Sequence, residues 1–179
     1  NIAIGHSALG ALDEQGNAAN GNIGIGSNAG LSGAVTGNHL DNIAIGRNAF
    51  DASSTNGVTG NIAIGGLALT ASTSGDKNTA VGYQACGALT DGEGNTALGF
   101  EAMSTAMDVG DSNTAIGRRA LYSLNPDANN AGKNTSLGSS SGYTLTTGTE
   151  NTYIGESAGY YNATGDNNTV VGQNAGGSN

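Results

Sequence analysis

Tryptophan is absent from this 179-residue chain, and proline and cysteine occur once each. Only two phenylalanines and six tyrosines are present, so aromatic side chains cannot fill a conventional globular core. A single cysteine excludes an intrachain disulfide. Cations are equally scarce: Arg47, Lys77, Arg118, Arg119 and Lys133 stand against 14 acidic residues, for a formal net charge of −9. Nucleic-acid binding wants a basic stripe, which this chain lacks. No apolar run approaches the length of a membrane span, so direct membrane insertion is not expected of this segment. What remains in quantity is glycine, 32 residues of it, with asparagine, serine, threonine and alanine. Such text often signals disorder. Here a fixed aliphatic register argues for order instead.

That register is a short phrase, Asn-(Ile/Thr)-x-(Ile/Val/Leu)-Gly. It begins at Asn1, Asn22, Asn42, Asn61, Asn78, Asn95, Asn113, Asn134, Asn151 and Asn168. Ten copies separated by 17 to 21 residues indicate one structural unit stacked on itself. The glycines leave no sustained 3.6-residue apolar pattern, which excludes a helical repeat. The expected fold is all-β: a parallel β-solenoid of about ten coils of 17–21 residues, forming one domain over residues 1–179. With a rung of roughly 4.8 Å, ten coils span about 48 Å.

Counting each repeat from its Asn as position zero, positions zero to three read as a short strand. Position three is aliphatic in every copy and is expected to face the interior, with position one beside it. Position two is mostly Ala but includes Tyr153 and Val170, and is expected to face outward. The invariant Gly at position four suits a sharp corner. The two residues after it vary widely and read as solvent-facing. Position seven, Ala in nine copies and Ser141 in the other, returns to the interior. Position eight is aliphatic, aromatic, Cys or Gly. There Cys86 reads as a small buried hydrophobe. The repeated Asn is expected to bond to its own copy in the next coil, as in other stacked parallel sheets. Length variation falls after position eight, and Leu121–Gly132, with Pro126, is the expected bulge. The chain opens and closes inside the repeat, so it is expected to be a fragment of a longer fibre.

Segments such as Asn78–Ala85 (NTAVGYQA) and Asn95–Ala102 (NTALGFEA) resemble head repeats of trimeric autotransporter adhesins of the Yersinia adhesin type. They resemble repeats of phage tail fibres equally well. The resemblance covers essentially the whole chain. It implies a left-handed parallel β-roll, a homotrimer of chains side by side, and an extracellular place on a bacterial surface or virion tail. It also implies binding to a host-cell surface glycan or protein, or to extracellular matrix. The repeats here are longer than the compact head repeat of that family.

Candidate chemistry is sparse. Gly24–Gly30 superficially resembles a dinucleotide loop but is the repeat in register. His6 and His39 stand alone, without zinc spacing, and no nucleophile elbow is present. No catalytic residue or resident cofactor is expected, so the chain is not read as an enzyme. Asp76, Glu93, Asp111, Glu150 and Asp166 recur in the turn before the Asn. Stacked carboxylates there could hold Ca2+, against the plainer reading of solvated turn acids. The same acids could serve a polysaccharide-degrading tailspike, for which the chain offers few sugar-stacking aromatics. Asn134, Asn162 and Asn167 open glycosylation sequons, as Asn/Thr-rich text does by chance.

The first functional expectation is a structural and adhesive fibre segment that spaces and presents receptor-binding surface. Tyr83, Arg118, Arg119, Tyr160 and Tyr161 are its candidate surface contacts, chosen for exposure and chemistry. The alternative is an ice-binding solenoid with a ladder of Thr79, Thr96, Thr114, Thr135, Thr152 and Thr169. Against it stands the expectation that position one faces inward.

Overall fold

In a computed structural model, residues 1–10, 19–30, 37–52, 57–105, 110–125 and 132–176 are described. They form a parallel β-solenoid, and no helix is present among them. Ten three-residue strands make one sheet: β1 (Ile2–Ile4), β3 (Ile23–Ile25), β5 (Ile43–Ile45), β6 (Ile62–Ile64), β7 (Thr79–Val81), β8 (Thr96–Leu98), β9 (Thr114–Ile116), β10 (Thr135–Leu137), β11 (Thr152–Ile154) and β12 (Thr169–Val171). Each pairs in parallel with the next, and the register matches repeat position to repeat position, as in Thr79 with Thr96 and Val81 with Leu98. A second, two-stranded sheet joins β2 (Ala19–Asn20) to β4 (His39–Leu40), continued by a bridge from Leu40 to Thr59.

The repeated Asn explains why the register never slips. Each side chain lies along the stack. The Asn95 carboxamide oxygen accepts the Asn113 backbone N–H at 2.9 Å and its side-chain N–H at 3.1 Å. The Asn95 amide group donates to Asn78 Oδ1 at 3.2 Å and to the Gly110 carbonyl at 2.6 Å. The backbone link recurs at every step from Asn1 to Asn168. Where the turn before the next Asn carries Gly, that Gly carbonyl is the acceptor, as in Asn61 to Gly75 and Asn134 to Gly148. One side chain therefore ties three coils together. Aspartate is nearly the same shape but has no N–H to give when ionised, and stacked carboxylates would repel.

The strand faces are the reverse of the sequence expectation. Position two points inward: Ala44, Ala63, Ala80, Ala97, Ala115, Ser136 and Tyr153 are buried. Positions one and three point outward, leaving Ile4 59% and Val171 63% exposed. The physical reason lies in the coil width. The interior between the sheet and the returning chain is filled by position two, position seven and position eight, where Phe50, Leu69, Cys86, Met103 and Leu121 are buried. Small residues are needed opposite those large ones.

Tyr153 follows the same rule in reverse. It is fully buried, and its coil and the preceding one carry Gly159 and Gly142 at position eight. A Cβ on Gly159 would lie 2.2 Å from the Tyr153 ring, and one on Gly142 would lie 2.9 Å from it. Positions two and eight thus share volume between adjacent coils: Tyr153 fills the space beside Gly142 and Gly159, and Leu9 that beside Gly24 and Gly30. The buried Tyr153 hydroxyl has no hydrogen-bond partner among the described residues, and burial pushes its phenol up to about 12.

The corner glycine is held by sterics as well as by its backbone angle. Gly82 has φ +136, and a Cβ there would sit 2.3 Å from the Gly99 carbonyl oxygen of the next coil. Ala at position seven closes the corner with a turn bond, Ala85 N–H to Gly82 carbonyl at 3.3 Å. Position-eight N–H groups then donate to the position-seven carbonyl one coil on, as in Cys86 to Ala102 at 2.9 Å. Cys86 is buried as expected, and desolvation pushes its thiol up to about 12. The expected bulge at Leu121–Gly132 lies partly outside the described residues, since 126–131, including Pro126, are not among them.

Asn95→Ala should cost about 2–4 kcal/mol, because it strands the buried Asn113 N–H and the Gly110 carbonyl; denaturant unfolding measures it. Gly159→Leu alone should destabilise by more than about 3 kcal/mol through overpacking against Tyr153. Combining it with Tyr153→Ala should recover most of that loss, since the rung then has the Ala/Leu pairing of Ala63 with Leu69 and Ala115 with Leu121.

Candidate functional site

The outward face of the ten-stranded sheet is a regular surface that repeats on every rung. Its first four rungs present Ile at both outward positions: Ile2 and Ile4, Ile23 and Ile25, Ile43 and Ile45, Ile62 and Ile64. From β7 onward position one becomes Thr, while position three stays aliphatic, with Leu98 46% and Leu137 47% exposed. A monomeric soluble protein seldom leaves so continuous an apolar stripe in water.

Around the corner from this face stand the variable residues. Tyr83 is exposed, as expected, and its ring stacks on Phe100 at 5.5 Å between centroids. Both occupy position five, on successive rungs. Arg118 holds the same position one rung further and is exposed. Arg119, at position six, is only half exposed. Its Nε donates to Glu101 Oε2 at 2.6 Å, and its guanidinium carbon lies 5.6 Å from the Tyr122 ring centroid. The hydrogen bond that Arg119 donates to Glu101, then the Glu101 charge, raises the Arg119 pKa above its ordinary value.

Tyr160 and Tyr161 belong to a second stack that sequence reading did not assemble. Tyr122, Tyr143 and Tyr160 all fall at position nine, and their rings stack at 5.1 and 4.9 Å, nearly parallel. Tyr161 closes the column edge-on at 4.8 Å from Tyr160. The signal was present: Tyr recurs at one repeat position in three successive coils. The stacked rings of Tyr122, Tyr143 and Tyr160 meet one another, with Arg119 over Tyr122 at one end and Tyr161 beside Tyr160 at the other. The three stacked rings therefore stabilise their side of the coil, while Tyr161, 67% exposed, is the ring most open to solvent.

Four of the five turn acids have local partners. Asp76 accepts the Thr59 N–H at 2.7 Å, Asp111 the Glu93 N–H at 2.8 Å, and Asp166 the Thr149 N–H at 2.7 Å. Glu150 faces Lys133 at 3.4 Å. Asp carboxylates here cap backbone donors from the neighbouring coil. Among the described residues, no three His, Cys, Asp or Glu side chains group in a way that could hold a metal ion. Of the sequon residues, Asn134 is fully buried in the ladder.

These features define the class of protein as a parallel β-solenoid whose outward strand face is aliphatic at position three on every rung. Comparison with protein-family models, with curated proteins and with solved structures gives no match.

Tyr143→Ala removes two ring stacks and should cost about 1–3 kcal/mol beyond the area lost. Thermal unfolding of the variant beside Tyr161→Ala, which removes one edge contact at the column's end, should rank Tyr143 as the costlier loss.

Proposed function

We propose that this chain is a structural and adhesive segment of an extracellular fibre, carried on a bacterial surface or a virion tail, and that it works as a homotrimer. The observation that carries this reading is the outward aliphatic face. Its side chains recur at every rung of about 4.8 Å along all ten strands. Few surfaces share that period over such a length, and a second copy of the same chain always does. Packing copies along this face removes the exposed Ile, Leu and Val from water. The polar corners and turns then remain outward, where a fibre meets a host glycan, a host protein or extracellular matrix. Tyr83, Arg118 and Tyr161 are the exposed candidates for that contact. The likeness of the repeats to adhesin heads and tail fibres points the same way. Non-enzymatic action is part of the reading.

A second reading is favoured by one observation. The Thr ladder, expected inward, in fact faces outward: Thr79, Thr96, Thr114, Thr135, Thr152 and Thr169 pair one to one across six strands. A flat, rigid array of hydroxyls and methyls suits ice binding in a chain that stays monomeric with this face in water.

Light scattering at two concentrations separates the readings. The expected mass is three times that of the chain, and Leu98→Lys with Leu137→Lys should reduce it to that of one chain while the β circular-dichroism signal persists. A monomer with thermal hysteresis would overturn the fibre reading in favour of ice binding.

A further inference from the structure

A face built from repeats has a weakness as an interface. Sliding one copy along another by a single rung restores nearly the same contacts, so register is poorly specified wherever a sheet surface is uniform. This face is not uniform. Along β1, β3, β5 and β6 the apolar strip covers positions one and three, an Ile pair on each strand. At β7 the strip moves sideways. Position one turns to Thr79 and Thr96, while position five, polar or Gly on every other rung, becomes Tyr83 and Phe100. The apolar surface on these two rungs therefore runs from position three around the corner to position five: Val81 with Tyr83, and Leu98 with Phe100. The two rings are 42% and 46% exposed and are braced against each other. Tyr83 also lies beside Gly66, which has no side chain to displace it. The aromatic corner occurs once, on β7 and β8; from β9 onward the aliphatic strip is position three alone.

We infer that this lateral step, with the Tyr83–Phe100 corner as its key, fixes the axial register between copies of the chain. The inference rests on the reading that copies pack along the sheet face. With copies aligned, the Ile-paired rungs meet Ile-paired rungs and each aromatic corner meets the matching rungs of its neighbour. With copies shifted by one rung, one end of the step sets an Ile against a Thr hydroxyl and the aromatic pair overhangs a corner without an aromatic ring, Gly66 or Arg118. Specificity comes from the penalty on the shifted alignments as much as from the gain in the aligned one.

The test uses a nitroxide on Glu156→Cys, an exposed position-five site three rungs beyond Phe100. Cys86 is buried with its thiol pushed up to about 12, so it does not compete for the label. Pulsed dipolar EPR on the otherwise unchanged chain should give one intermolecular distance population. Adding Tyr83→Ser with Phe100→Ser should split it into at least two, at unchanged mass by light scattering and with the β circular-dichroism signal retained. Adding Tyr83→Leu with Phe100→Leu should restore one. A single population in the serine pair overturns the inference while leaving self-association standing. A fall in mass in that pair also overturns it, by assigning the corner to affinity instead of register. A monomeric unchanged chain removes the self-association reading, and this inference with it.

Discussion

The asparagine column is the constraint on which the rest of the molecule depends. Each strand of the ten-stranded sheet is only three residues long, too short to hold its own alignment. The side chain at position zero supplies what the strand lacks. It spans from the preceding coil to the following turn and fixes both neighbours against sliding. Because the column is buried, each unmet amide would be costly, and that cost converts a loose stack into one with a single register. Everything else, from the corner glycine to the outer face, is placed relative to this line.

The architecture was legible in the sequence. Repeat spacing, the invariant Gly and the Asn at every start led to a parallel solenoid, to a stacked Asn column, to an inward Ala at position seven and to a buried Cys86. The facing of the strand was not. An aliphatic residue conserved in type through ten copies reads as core, since burial is the usual reason for such constancy. In this coil the interior is too narrow. Its width is set by Ala at positions two and seven against Phe50, Leu69 or Met103 at position eight. Periodicity along a strand tells which residues share a face but not which face is inside. Tyr153 misled for the same reason. Its place in the interior depends on Gly142 and Gly159, which sit in different coils, and a single-coil reading does not join them.

The surface was legible in part. Tyr83, Arg118 and Tyr161 are exposed as expected, while Arg119 is held by Glu101 and Tyr160 lies within a stack. Phe100, Tyr122 and Tyr143 were missed, although each falls at the same repeat position as a residue that was noticed. Reading down the columns of the repeat, instead of along the chain, would have found them. In a solenoid the neighbours in space are one coil apart, so the informative alignment is of the chain with itself.

The spacing between repeats varies from 17 to 21 residues, yet the strands pair position for position without a bulge. The coils resemble pages holding unequal amounts of text, bound along one edge. A longer repeat leaves the spine unchanged. Such a chain can lengthen, shorten or rewrite its outer margin without altering its axial rise or the face along the binding. Variation at the margin and constancy at the spine can then change independently.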